Sequence, residues 1–220
     1  MHQSPGTQPL TTADEDRAVL PWKYNPSAWS QRVPVCLLAF IATLIASHLA
    51  AFQWGLIDYV WDPVFGNQSE KVIGSDVAKT MDAWIGVPDA ALGAIAYLGD
   101  AIFGLAGSTR RWQDRPWIVI LFGIDVIPLG VVSVILVLIQ TFVLGQWCFL
   151  CLVTATISIA LIYLAYDEVC SSLLYLGKVW QASHSKRDVW TTLCGFPTPT
   201  GIRVGQEMLQ SNEMTSTKGA

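Results

Sequence analysis

Residues 117–151 read WIVILFGIDVIPLGVVSVILVLIQTFVLGQWCFLC, and this stretch decides the class of fold. Its first part, Trp117–Leu144, is longer than the ~20 residues that a helix needs to cross ~30 Å of hydrocarbon. A second apolar run begins at Trp147, with Cys148 and Cys151 in its first turn. The stretch therefore predicts two membrane-spanning helices joined by a tight turn, with a CxxC pair at the start of the second helix.

The composition of the chain agrees with a membrane protein. Of its 220 residues, 52% are hydrophobic and only 14% are charged, against roughly 25% charged in an ordinary soluble domain. Further apolar runs cover Val33–Trp54, Ala90–Gly107 and Trp147–Tyr166. The first run is too long for the core of a signal peptide, so we expect it to remain in the protein. The sequence predicts an all-α, integral membrane four-helix bundle, and we expect no nucleic-acid partner.

The chain divides into four segments. Residues 1–32 contain four prolines and few large aliphatic residues, which predicts a disordered arm. Residues 33–168 hold the four-helix transmembrane domain, and residues 169–194 are expected to form an amphipathic helix on the cytoplasmic membrane surface. Residues 195–220 are expected to be a disordered tail.

The loop between the first two runs, residues 55–89, predicts a short helix of its own. Ser75 is a suitable N-cap, and apolar residues follow at helical spacing. We expect this helix to form a lid over the extracytoplasmic end of the bundle. The apolar residues are Val77, Met81, Trp84 and Ile85.

The distribution of lysine and arginine predicts the orientation. If the N-terminus is cytoplasmic, eleven of the 13 basic residues lie in cytoplasmic segments, and only Lys71 and Lys79 lie outside. Because cytoplasmic loops carry an excess of Lys and Arg, we expect both termini in the cytoplasm. The loop 55–89 and the CxxC pair then face the other compartment.

This orientation separates the cysteines by redox environment, since disulfides persist outside the cytosol. Cys148 and Cys151 lie on the oxidising side, too far from the other three cysteines to pair with any but each other. Unpaired N–H groups at a helix start lower the pKa of a nearby thiol. We expect Cys148 to lie nearest water and Cys151 to lie deeper, where it can meet an apolar molecule such as a quinone. Plain packing and a two-thiol metal site remain alternatives.

Four polar residues within the apolar runs are further candidates, because ionisable groups are costly in a bilayer. Asp100 and Asp125 have similar predicted depths and could share a proton if they face each other. Alternatively, each turns to the aqueous cytoplasmic end. His48 could donate a proton to a reduced quinone or simply pack as a neutral residue, and Gln140 could line a quinone pocket.

The sequence resembles bacterial members of the vitamin K epoxide reductase family. The resemblance covers roughly Val33 to Glu168 and is carried by WCFLC, by VPDAALGAIAYL and by WDPVFGNQSEKVIGSDVAKTM. It implies a bundle around a quinone co-substrate of the ubiquinone or menaquinone type. It also implies that Cys151 faces the quinone and that Cys148 exchanges with the thiol donor. Asp89 stands where the family often has an asparagine that binds a quinone oxygen, and Trp147 is a further candidate contact.

The loop departs from the family pattern, because residues 55–89 contain no cysteine where many members have two. A thioredoxin-like extracytoplasmic partner would then have to reach Cys148 directly. The leading interpretation is a thiol:quinone oxidoreductase of a bacterial inner membrane. The alternatives are a non-catalytic relative that binds a quinone or a partner protein, with a structural disulfide, and a thiolate metal carrier.

Overall fold

The structure of the protein is a computed structural model that describes residues 24–217. Within that range every regular element is helical, which confirms the predicted fold class. The helices are α1 (Trp29–Gln53), α2 (Gln68–Ile73), α3 (Asp76–Ile85), α4 (Asp89–Leu105), α5 (Arg111–Asp114), α6 (Pro116–Ile139), α7 (Phe149–Ser183), α8 (Lys186–Leu193) and α9 (Pro199–Thr217). A π-helical turn, Gln140–Leu144, continues α6.

Three helices of the described chain are long and apolar enough to cross a membrane by themselves: α1, α6 with its π turn, and α7. Helix α4 has 17 residues. The segment 68–84, which holds the two short helices, and α4 are together apolar enough to cross a membrane. The two parts are bent by 67° relative to each other, and they count as a fourth candidate span. The protein is therefore an integral membrane protein with three to four spans.

The four long helices close into a ring around one core. Helix α1 packs against α4 and α7, and α6 packs against the same two helices. The face that α1 presents to the ring carries small residues, which allow helix backbones to approach closely within a membrane. The buried residues of this face are Val35, Ala39, Ala42, Ala46, Leu49 and Ala50.

The segment between α1 and α4, residues 55–88, folds over one end of the ring and is called the lid below. It contains two short helices, α2 and α3, where the sequence predicted one. Ser75 caps α3 as predicted, because its hydroxyl accepts a hydrogen bond from the N–H of Ala78 at 3.2 Å. Gly86 ends α3 with a φ of 78°, a left-handed conformation that glycine adopts without strain.

Charged side chains close the opposite end of the ring, which is called the arginine end below. The Arg111 guanidinium donates two hydrogen bonds of 2.6 Å to the Glu168 carboxylate, and both side chains are buried. Arg32 donates to the carbonyls of Gly104 and Ala106 at 2.7 and 2.8 Å, so it satisfies acceptors at the end of α4. Ser27 adds a 2.5 Å hydrogen bond to Glu168.

The prediction of a disordered arm over residues 1–32 is wrong for its last part. Residues 1–23 lie outside the described range, but Tyr24 onward is held against the arginine end. The Tyr24 hydroxyl donates to the Asp167 carboxylate, and this hydrogen bond raises the pKa of Tyr24 to about 12. Helix α1 begins at Trp29, four residues before the predicted run.

The boundaries predicted after residue 166 are also wrong. Helix α7 continues without a break to Ser183, because Asp167 and Glu168, which looked like a polar end, both have partners. The segment 195–220 was expected to be disordered but contains α9. A second small core orders this region, formed by Trp112, Tyr175, Val179, Val204 and Met208. Residues 169–194 accordingly comprise the end of α7 and the short helix α8 rather than one separate surface helix.

Candidate functional site

The CxxC pair lies where the lid meets the start of α7. Cys148 is the N-cap of α7, and its sulfur accepts a hydrogen bond from the N–H of Cys151 at 3.1 Å. The two cysteines form a disulfide, with their Cα atoms 5.2 Å apart. Gly145 leads into the pair with a φ of 59°, a left-handed conformation in which a Cβ would be strained. The pairing that the sequence predicted is confirmed.

The prediction that Cys148 lies nearest water is wrong. Cys148 is 0% exposed and belongs to a small apolar cluster under the lid. The cluster joins the end of α1 to the lid and to the first turn of α7. Its buried members are Leu49, Val60, Ile73, Cys148 and Leu150. Depth along a helix could not show this burial, because the residues that cover Cys148 come from a distant part of the chain.

Two lid side chains hold the backbone on either side of Cys148. The Gln68 side-chain oxygen accepts a hydrogen bond from the N–H of Trp147 at 3.0 Å. The Asp62 carboxylate accepts one from the N–H of Phe149 at 3.4 Å. The lid is therefore fastened to the residues that flank the buried sulfur.

Asp62 also organises the lid internally. Its carboxylate accepts hydrogen bonds from the N–H groups of Val64 and Phe65 and from the Ser69 hydroxyl. Desolvation alone would raise the pKa of Asp62, but the hydrogen bonds from Ser69 and the backbone outweigh it, so the pKa lies below its usual value. The carboxylate is thus the ionised acceptor that joins the lid to α7.

Aromatic contacts reinforce the same junction. Trp61 meets Phe149 edge to face at 6.0 Å between ring centroids, and Phe65 stacks on Trp147 at 6.1 Å. These distances are typical of attractive aromatic pairs. Trp147, predicted as a quinone contact, therefore packs against the lid and does not line the cavity described next.

An apolar cavity of about 500 Å³ lies beside Cys151, between the lid and helices α4, α6 and α7. Its volume falls in the range of small-molecule sites, and its wall is mostly aliphatic with a few polar groups. The polar wall residues are Ser75, Asp89, Tyr97, Asp125, Ser133, Gln140 and Thr154, together with Cys151. Four of the predicted site residues therefore meet at one cavity: Cys151, Asp89, Gln140 and Asp125.

Gln140 is the most informative polar group in the cavity wall. Its side chain is 2% exposed, and neither its amide nitrogen nor its oxygen has a hydrogen-bond partner in the described chain. An unsatisfied buried amide costs roughly 1–3 kcal/mol, which a bound polar group would recover. Asp89 already accepts a 2.5 Å hydrogen bond from the Gln53 amide. Gln140 is thus the amide that is free to bind a ligand.

The other predicted residues lie outside the cavity wall. His48 faces the lid, where its Nε2 accepts a long hydrogen bond of 3.5 Å from the N–H of Trp61. Asp100 is 0% exposed and lies in the bundle interior, with neither carboxyl oxygen partnered among the described residues. Cys36, Cys170 and Cys194 are free thiols, as predicted.

The sequence analysis missed a cluster of hydroxyl groups in the middle of the bundle. The Tyr97 hydroxyl contacts that of Ser158 at 2.6 Å, and the Ser133 hydroxyl contacts Ser158 at 3.2 Å. Tyr97 and Ser133 also line the cavity. Tyr97 and Ser133 are hydroxyl residues inside otherwise apolar runs, and this could have drawn attention to them. Asp62 and Gln68 gave no such signal, because polar residues in a loop are ordinary.

These features define a class of protein: a membrane helical bundle that carries a CxxC disulfide against an apolar cavity. The model of the vitamin K epoxide reductase family matches residues 33–166 of the chain. The chain belongs to the vitamin K epoxide reductase family, and membership implies an enzyme of the quinone-reducing thiol oxidoreductase type. No curated protein matches the chain.

Proposed function

We propose that the protein is a membrane thiol:quinone oxidoreductase that oxidises an extracytoplasmic dithiol and reduces a bilayer quinone. One observation carries the proposal. The disulfide joins a sulfur in the wall of an apolar cavity, Cys151, to a sulfur directly beneath the lid, Cys148. Electrons that enter at Cys148 can therefore leave from Cys151 without further carriers.

The orientation follows from the charge distribution. Of the basic residues that the structure describes, eight belong to segments on the side of the arginine end, and Lys71 and Lys79 belong to the lid. By the positive-inside rule, the arginine end and both termini face the cytoplasm, and the lid faces outward. A bacterial inner membrane, with an oxidising space on its outer side, is the setting that this orientation suits.

The cavity has the chemistry of a quinone site. Aliphatic residues suit the ring and the isoprenoid chain, whereas the free Gln140 amide can donate a hydrogen bond to a carbonyl oxygen. The cavity wall also includes Asp89, beside the lid, and Cys151, at the start of α7. A quinone of the ubiquinone or menaquinone type is the substrate class that these groups would accept.

The catalytic cycle begins with thiol–disulfide exchange. A donor thiolate attacks the Cys148 sulfur, the Cys148–Cys151 bond breaks, and Cys151 leaves as a thiolate at the start of α7. The N-terminal N–H groups of α7 stabilise that negative charge. The second donor thiol then attacks the mixed disulfide and leaves both cysteines reduced. Their reoxidation to the disulfide delivers two electrons to the quinone in the cavity.

The burial of Cys148 adds a requirement to this cycle. Because the sulfur is 0% exposed, the donor can reach it only after the lid has moved away from α7. A non-catalytic protein with a structural disulfide is the second candidate. The same burial favours it, together with the lack of cysteine in residues 55–89.

Trapping of the mixed disulfide tests the proposal. In the Cys151→Ser protein, Cys148 can still join the donor but nothing within the pair resolves the adduct. We expect this variant to accumulate a reducible adduct with a thioredoxin-like extracytoplasmic protein on a non-reducing gel. Cys148→Ser should form little, because Cys151 faces the apolar cavity. Equal trapping would contradict the roles, and no trapping by either variant would favour the structural disulfide.

The quinone side of the site has its own test. Gln140→Leu removes the free amide, and we expect it to raise the quinone KM roughly tenfold or more. The same variant, combined with Cys151→Ser, should still trap the donor, since Gln140 takes no part in exchange. An unchanged quinone KM would show that Gln140 does not bind the quinone.

A further inference from the structure

Two carboxyl groups lie within the membrane-spanning part of the bundle. Asp100 on α4 is 0% exposed, and both its oxygens lack hydrogen-bond partners among the residues that the structure describes. An ionisable group at such a depth is costly and normally has a function. Packing gives no reason for a carboxyl group at this position, because a leucine could fill it at lower cost.

Asp125 connects Asp100 to the cavity. Asp125 lines the cavity wall from α6. Its Oδ2 also packs against Gly99, the neighbour of Asp100, so closely that a Cβ on Gly99 would lie 2.7 Å away. Asp125 therefore lies against the residue that precedes Asp100, and the two carboxyl groups interact electrostatically. Two adjacent carboxyl groups in a medium of low dielectric constant retain at least one proton between them.

The pair lies between two groups of polar residues. On the side of the lid are the hydrogen-bonded hydroxyls of Tyr97, Ser133 and Ser158. On the side of the arginine end, Cys36 from α1 contacts the carbonyl of Ala101 at 3.8 Å. One turn further lie Arg32, bound to the carbonyl of Gly104, and the Arg111–Glu168 ion pair. Asp89 and Cys151 line the same cavity as Asp125, and together with them these are the charged and titratable groups of the described chain near the two carboxyls.

We propose that Asp100 and Asp125 supply the protons for quinol formation and are reloaded from the cytoplasmic side. This inference rests on the proposed function and on its orientation. Oxidation of the external dithiol releases two electrons and two protons outside. The electrons pass through Cys148 and Cys151 to the quinone, whose two oxygens take up two protons from the carboxyl pair. Each turnover thus consumes two cytoplasmic protons and releases two outside, so that the reaction charges the membrane.

Reconstituted vesicles provide the test. The full chain is placed in vesicles with a pH-sensitive dye in the lumen, ubiquinone-1 in the bilayer, and valinomycin with potassium to remove the voltage. A reduced dithiol peptide that cannot cross the bilayer is added outside, so only molecules with an outward lid react. We expect the lumen to become alkaline by two protons for each quinol formed. Quinol formation with an unchanged lumen pH would overturn the inference and leave the proposed function intact. A lack of quinol would refute the proposed function, and the inference with it.

Three matched variants separate proton supply from folding. Asp125→Asn and Asp100→Asn keep the shape of each side chain, and we expect roughly hundredfold slower quinol formation, the usual effect of losing a general acid. The quinone KM should stay within about twofold, since binding is not affected. Asp114→Asn, an exposed aspartate near the arginine end, should behave as wild type.

A pH profile completes the test. The wild-type rate, measured at constant external pH, should fall as the lumen pH rises, because the carboxyl pair then loads more slowly. The residual rate of Asp125→Asn should not respond to the lumen pH. A purely structural role would slow the reaction without removing this dependence. Wild-type rates in both Asn variants would also overturn the proposal.

Discussion

The two ends of the bundle are closed by different interactions. At the arginine end, a buried ion pair and hydrogen bonds from guanidinium groups to carbonyls join α1, α4, α5 and α7. At the lid end, the lid is joined to α7 by two hydrogen bonds to backbone N–H groups and two aromatic contacts. In the described chain the first end covers no group that the thiol donor must reach, whereas the second covers the disulfide.

This difference suggests a division between a permanent closure and one that opens. Charged hydrogen bonds are roughly twice as strong as neutral ones, and breaking a buried ion pair leaves a charge without a partner. The lid is held to α7 by one carboxylate acceptor, one amide acceptor and a small apolar cluster, with no ion pair between the lid and α7 among the described residues, so we expect it to separate at lower cost.

The Arg111–Glu168 pair should dominate the stability of the arginine end. Arg111→Met or Glu168→Leu leaves one buried charge unpaired, and we expect a loss of about 3–5 kcal/mol in the free energy of unfolding. The double variant should recover most of this loss, because it removes both charges. Thermal unfolding in detergent measures the effect.

The exposed pair Arg203–Glu207, at 3.7 Å, is the matched control for the buried pair. Arg203→Met should cost less than about 1 kcal/mol, as exposed ion pairs usually do. If the Arg111 and Glu168 variants lose no more than this control, the arginine end is not the strong closure that its contacts indicate.

Asp62→Ala should loosen the lid without unfolding the bundle. It removes the acceptor for the N–H of Phe149 and three contacts within the lid. We expect a reduced Cys148 to react about tenfold faster with a polar alkylating reagent, as a loss of ~1.4 kcal/mol from the closed state would produce. Asp58→Ala, an exposed position in the same segment, is the control. Equal alkylation rates in both variants would show that Asp62 does not hold the lid closed.

Acid should open the lid through the same carboxylate. The folded-state pKa of Asp62 is lowered, so its contribution to stability is present above the ordinary value. That contribution is lost as the pH falls through the lower, folded-state pKa. Amide hydrogen exchange of residues 145–151, followed from about pH 6 to about pH 2, should show lost protection below about pH 4. Asp62→Ala should lack this transition, and a wild type without it would contradict the role of Asp62.

Tyr24→Phe should have the smallest effect. The Tyr24 hydroxyl bonds to Asp167, but the side chain is 42% exposed, so water can replace the lost donor. We expect a change below about 1 kcal/mol in the free energy of unfolding. Ser27→Ala, which removes a buried donor to Glu168, should cost more in the same assay. The reverse order would show that burial does not govern the strength of this end.

Local sequence patterns were sufficient for much of the fold. The apolar runs predicted the long helices, Ser75 predicted the start of α3, and the CxxC spacing predicted the disulfide. Each of these features depends on neighbouring residues or on one helical period. The position of Cys151, Asp89 and Gln140 at one cavity could also be predicted, because all three lie near the same end of their helices.

Features that depend on distant contacts were not predictable. Cys148 is buried by Leu49, Val60 and Ile73, which the linear depth argument did not include. The apolar run predicted for the fourth span ends at Tyr166, whereas α7 continues past Glu168, whose carboxylate pairs with Arg111. The order of the tail likewise comes from Trp112 and Tyr175, which supply a packing surface for α9.

The unbroken course of α7 also has a practical consequence for imaging. A membrane protein of 24.1 kDa offers few features by which single particles can be aligned. Helix α7 runs for 35 residues, or ~52 Å, from the disulfide to Ser183. A soluble helical domain joined in register beyond Ser183, in place of α8 and α9, would continue this rod. Such a fusion would report the tilt of α7 and act as a rigid marker outside the micelle.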